Sequence, residues 1–142
     1  MEKSKVYFTS DVSSESLVKI YDALGVKLTG KIAIKLHSGE QGNKNFLKPE
    51  YVKDLVLHVG GTVVECNTAY NGARNTTEKH LKLLEEHEWS KYFDVNIMDS
   101  EGPDLEIDIP NGTQIKKTFV GKKLADYDSM LVLSHFKGHK MG

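Results

Sequence analysis

The stretch IAIKLHSGEQGNKNFLKP, residues 32–49, constrains the fold more than any other, because it reads as a strand that stops in a polar, glycine-bearing loop. Ile32, Ile34 and Leu36 fall on one face, and Ala33, Lys35 and His37 on the other. Period two therefore delivers a lysine and a histidine to the carboxyl end of the strand, where the loop adds Gly39, Glu40 and Gly42. Ligands of open α/β sheets bind outside the carboxyl ends of the strands. Lys35, His37, Glu40 and Gly42 are thus the first candidate site residues.

Around this stretch the apolar spacing alternates between strand and helix. Residues 5–9 (KVYFT) are β-rich and lead into Asp11, Ser13 and Ser14, good N-caps for a helix carrying Leu17, Ile20, Tyr21 and Leu24. Gly25 sits where a C-cap belongs. Pro49 suits the first turn of a second helix, with Val52, Leu55, Val56 and Val59 as its buried stripe and Gly60-Gly61 as its stop. Residues 62–66 (TVVEC) predict a strand that empties into Asn67, Tyr70, Asn71 and Arg74, with Asn71-Gly72 a turn signal. Thr76 and Thr77 cap a third helix with Leu81, Leu84 and Trp89 on its apolar side.

Residues 94–98 (DVNIM) predict a further strand, and Leu105, Ile107 and Ile109 alternate with acids before Asn111-Gly112, the pattern of a β-hairpin that returns over residues 115–120. A short helix is expected at 122–127. Residues 130–133 (MLVL) form the continuous apolar run expected of a central parallel strand covered on both faces. The whole predicts one α/β domain over residues 1–142: a mainly parallel sheet with helices on both faces plus an antiparallel β-hairpin. If the strands before His37, Asn67 and His135 are parallel, their loops leave the sheet at one edge.

Charge and cysteine content set limits. With 19 basic and 20 acidic residues, the total gives no pull toward nucleic acid or a membrane surface. The single cysteine, Cys66, falls short of the four thiolates of an iron–sulfur centre and reads as a small buried residue. No window reaches the length of an apolar membrane span, so a cytoplasmic protein is expected.

The chain ends SHFKGHKMG, with His135, Lys137, Gly138 and His139. Gly138 between the histidines argues against the helical face that a zinc motif needs. Loop imidazoles remain open to proton transfer or to a metal that the sequence does not specify. The glycines near Glu40 match neither a dinucleotide fingerprint nor a phosphate loop. Lys35, Arg74 and Lys137 are the candidate charges for an anion, with Glu40 as the only acid in the three loops.

The runs AIKLHSGEQGNKNFLKPEYV and NTAYNGARNTTEKHL and the final SHFKGHKMG resemble, in that order, the domain-of-unknown-function family 362. The resemblance implies a polar signature at Lys35, His37, Glu40, Gly42, Asn67, Tyr70, Arg74, His135, Lys137, Gly138 and His139. It also implies a redox setting, since family members are often joined to a ferredoxin-like module holding iron–sulfur clusters, and it makes these residues the amino-terminal part of a longer architecture. Three readings follow: an α/β domain binding a small anionic ligand or cofactor, a metal-assisted acid–base enzyme acting next to a carboxylate, and a non-catalytic module docking a ferredoxin domain. In the enzyme reading His37, Glu40, His135 and His139 are the catalytic candidates; Lys35, Gly42, Asn67, Tyr70, Asn71, Arg74, Lys137 and Gly138 bind the ligand.

Overall fold

The computed structural model describes residues 3–136 and 138. Helix α1 (Ser14–Leu24) begins where the Ser13 side chain accepts from the Ser16 N–H, and it stops at Gly25 in the left-handed region. Strand β1 (Ile32–Leu36) leads to helix α2 (Pro49–Val59), which opens on proline and ends at Gly60, also left-handed. Strand β2 (Thr62–Glu65) is followed by helix α3 (Thr77–Glu86), capped by the Thr76 side chain on the Lys79 N–H. Beyond a 3-10 turn at Trp89–Lys91 lie β3 (Asn96–Ile97), the hairpin strands β4 (Leu105–Asp108) and β5 (Lys117–Val120), a 3-10 helix at Lys122–Asp126, and β6 (Ser129–Leu133).

Strands β3, β2, β1 and β6 pair in that order, all parallel, while β4 and β5 form a separate antiparallel pair. Period two sorts the sheet into two faces. Ile34, Leu36, Val63 and Ile97 pack with Val52 and Val56 of α2, Leu84 of α3 and Trp89 in the larger core. Ala33, Val64 and Met98 face the other way, covered by Leu124 and Tyr127 at the second 3-10 helix. Helical segments therefore cover both faces, unequally.

Several local expectations change: α3 ends at Glu86, so Trp89 opens the following 3-10 turn instead of lying on the helix, and Leu81 is 46% exposed. The 130–133 run is parallel to β1, with Leu36 beside Leu133, but among the described residues β6 is the sheet's edge and Val132 is 58% exposed. Leu131 and Leu133 pack on the larger core and Met130 on the smaller one, which leaves Val132 in solvent. The strand expected over 94–98 shrinks to Asn96–Ile97: the Met98 N–H still bonds the Glu65 carbonyl, and the chain then turns, with the Ser100 N–H on the Ile97 carbonyl. Residues 5–9 carry no strand pairing, and Val6 and Phe8 are each 88% exposed.

Candidate functional site

Parallel pairing of β1 with both neighbours puts the loops after Leu36, Glu65 and Leu133 at one edge of the sheet. The order also creates a switch point there: from β1 the chain proceeds to β2 and β3 on one side, while β6 lies on the other. Crevices outside such points are where doubly wound sheets bind ligands.

Glu65 organises this edge. Its side chain is 2% exposed and sits on the core-facing side of β2. One carboxylate oxygen accepts the Ser38 N–H at 3.1 Å; the other accepts the Cys66 N–H at 2.7 Å and Lys35 Nζ at 3.3 Å. Arg74 Nη1 lies 3.7 Å away. A single buried acid thus ties the ends of β1 and β2 together and balances two cations. Ser38, fully buried, forms the second tie: its carbonyl accepts from Trp89 Nε1 at 3.0 Å and its hydroxyl meets His80 Nε2 at 3.1 Å.

The His80 tautomer follows from its other partner. Asn67 donates its amide nitrogen to Thr77 Oγ1 at 3.0 Å, so Asn67 Oδ1, 3.2 Å from His80 Nδ1, accepts from that nitrogen. Nε2 is then left to accept the Ser38 hydroxyl. Burial lowers the His80 pKa from its ordinary value, with Arg74 acting in the same sense, which keeps the ring in the neutral state this chain of bonds requires.

Toward solvent from this knot lies a second cluster. The Arg74 side chain is 5% exposed; its Nη2 donates to Glu40, approaches His37 Nε2 at 3.1 Å and lies 3.4 Å from the Tyr70 hydroxyl. Tyr70 donates to the same Glu40 oxygen at 3.1 Å. Among the described residues Arg74 Nε is buried and has no hydrogen-bond partner. The loop geometry depends on Gly39: its φ is +102°, and a Cβ there would lie 2.8 Å from His87 Nδ1 and from the Phe46 ring.

His37 is held neutral by contact as well as by burial. Its Nδ1 accepts the Gly39 N–H at 3.0 Å, while Nε2 lies 3.1 Å from the guanidinium and 3.6 Å from the Glu40 carboxylate; a second proton, on Nδ1, would face the Gly39 donor. Burial first, and then Arg74, lowers its pKa. For Glu40 burial acts upward, but the hydrogen bond and charge of Arg74, with the Tyr70 hydroxyl, hold the carboxyl below its ordinary value. Near neutrality the cluster is a carboxylate, a guanidinium and a neutral imidazole.

The sequence candidates divide accordingly. His37, Glu40, Tyr70 and Arg74 meet, Lys35 joins them through Glu65, and Asn67 belongs to the buried relay through His80. Gly42 lies in the exposed turn closed by the Asn43 N–H on the Glu40 carbonyl, and Asn71 meets Asn75 on the surface. His135 is exposed beyond β6 and has no hydrogen bond or ion pair among the described residues, and Gly138 is also exposed. Lys137 and His139 lie outside the described residues.

Glu40 is not the only acid that serves these loops: Glu65, read as part of a strand, neutralises the cations from beneath. The signal was an acid in phase with Val63 on a core strand, and His80 was likewise a histidine in phase with Leu84 on α3. Two open grooves, each of about 420 Å³, flank the 39–43 loop, and neither is lined by His37, Glu40 or Arg74. Among the described residues no group of three or more His, Cys, Asp or Glu side chains is placed to hold a metal ion, and no helix is long and apolar enough to cross a membrane.

Comparison with known proteins gives one finding: the family model for a domain of unknown function, DUF362, matches residues 32–142, from the first residue of β1 onward. No curated protein and no solved structure matches the chain.

Proposed function

Since the chain belongs to the DUF362 family of domains of unknown function, we propose that its carboxyl edge binds a small anionic ligand, a phosphate or carboxylate, at the switch point between β1 and β6. The observation that carries this reading is Arg74: a guanidinium 5% exposed, with an unpartnered Nε among the described residues, whose outward Nη2 is held by a Glu40 carboxylate that is 39% exposed. Glu40 occupies the position a ligand carboxylate or phosphate would take. Because Lys35 and Arg74 are already balanced by Glu65 and Glu40, an incoming anion binds by displacing Glu40 rather than by filling a vacant positive site.

His37, neutral and beside that position, leaves the positive charge that faces the ligand to Arg74. The register that sets Leu36 beside Leu133 supports a contribution from the loop that starts after β6, where His135 is exposed at the same edge of the sheet. A redox partner of ferredoxin type, implied by the family resemblance, would supply the reaction's setting and not the ligand's anchor.

The test is thermal unfolding with phosphate, sulfate or a small dicarboxylate at constant ionic strength. Each bound anion stabilises the wild type by about 2.7 kcal/mol at a hundredfold excess over its dissociation constant. Glu40→Gln, which weakens the internal competitor, reaches the same shift at lower anion concentration. Curves that do not move, or that move equally in the wild type and in Glu40→Gln, contradict the displacement site.

A further inference from the structure

Three surfaces of the fold are unfinished among the described residues. The first is the outer edge of β6, which pairs with no strand among the described residues, although Met130–Leu133 carries none of the charges or prolines that usually blunt an open edge. The second is α1. It packs against α2, yet its only buried residue is Ser16, and Leu24 is 45% exposed, whereas α2 buries Val52, Leu55 and Val56. The third is the 5–9 segment, KVYFT, whose Val6 and Phe8 alternate in strand fashion and are 88% exposed.

We propose that residues 5–9 are a fifth parallel strand that seats against the free edge of β6, beneath α1. The handedness of the crossover selects that edge. A strand–helix–parallel strand connection is right-handed in about 98% of cases. The β1–α2–β2 unit places its helix on the larger-core face and steps from β1 toward β3. With α1 on that same face, through Leu17 in the larger core, a strand preceding α1 must lie on the opposite side of β1, where β6 already sits, and hence beyond β6.

The chain can reach. Residues 10–13 between the segment and α1 extend to roughly 14 Å, and a strand beyond β6 lies two spacings, about 9.5 Å, from β1. The turn itself is already built: Asp11 accepts from the hydroxyls of Ser13 and Ser16, and its N–H donates to Thr9 Oγ1. Seated there, Val6 and Phe8 point toward the half-buried apolar side of α1 and Tyr7 toward the side of Val132. This completes a five-stranded sheet in which β6 becomes an interior strand, as its apolar run suits.

Hydrogen exchange on the whole chain, at concentrations where it is monomeric, tests the proposal. The amides of residues 6–9 and the outward amides of β6 exchange at least about tenfold more slowly than free chain. In a Val6→Asp/Phe8→Asp variant both sets lose protection together while the β1 and β2 amides, which report the fold, keep theirs. Free-chain exchange at residues 6–9 in the wild type overturns the fifth strand. Protection that appears only as the protein dimerises overturns it too and assigns the β6 edge to a second copy.

Discussion

Glu65→Ala lowers the stability of the fold by about 3–5 kcal/mol, the range for removing one partner of a buried ion pair. The loss is not that of one contact. Without the carboxylate, the Ser38 and Cys66 N–H groups lose their acceptor in the interior, Lys35 Nζ is left with the Leu36 carbonyl at 2.6 Å, and Arg74 is left with the Glu40 carboxylate. Glu65→Gln retains the shape and one acceptor oxygen, so it costs less, about 1–3 kcal/mol for the groups left poorly paired. Urea midpoints at constant slope measure both. Equal stabilities for the wild type and Glu65→Ala would show that the edge is not held by this residue.

Trp89→Ala is the other large loss, about 3–5 kcal/mol, since it empties a fully buried site in the larger core. It also removes the indole N–H that Ser38 accepts, leaving that carbonyl to His87 Nδ1 at 2.9 Å. Trp89→Phe separates the two effects, for it keeps most of the packing and loses the bond. Because Glu65 and Trp89 hold the N–H and the carbonyl of the same residue, their losses are coupled, with an interaction of about 0.5–3 kcal/mol in a double-mutant cycle. A cycle that closes additively would show that Ser38 is not a shared knot.

The fold was legible where periodicity and punctuation agree. Gly25 and Gly60 end α1 and α2 in left-handed caps, Pro49 opens α2, and the alternation in 32–36 sorts the residues of β1 between the two cores. The parallel pairing that gathers the loops followed from strands alternating with helices. What periodicity does not carry is position across a sheet: an apolar run such as 130–133 looks the same at an edge whose neighbour is missing as in the middle. Likewise the 5–9 run has strand composition, but pairing depends on a distant edge.

The polar cluster at the sheet edge was half legible. His37, Glu40, Tyr70 and Arg74 come from the polar loops that follow β1 and β2, and they meet. The residues beneath them are hidden for a physical reason. Glu65 and His80 occupy positions that an apolar pattern assigns to the core, and a buried acid or neutral imidazole is stable there only because specific N–H and hydroxyl partners, unreadable one residue at a time, converge on it. The charge balance of the edge changes with them, from an excess of cations to a set balanced by Glu65 and Glu40.

The central claim, that the β1 and β6 loops form two walls of one anion site, is tested most directly by following the imidazole resonances of His37 and His135 during a phosphate titration at constant pH and ionic strength. The two rings move along a single saturable curve if the loops close on one ligand, and the His37 change is larger in Glu40→Gln at low phosphate. A response from His37 alone, or from neither ring at concentrations that saturate the thermal shift, contradicts the shared site.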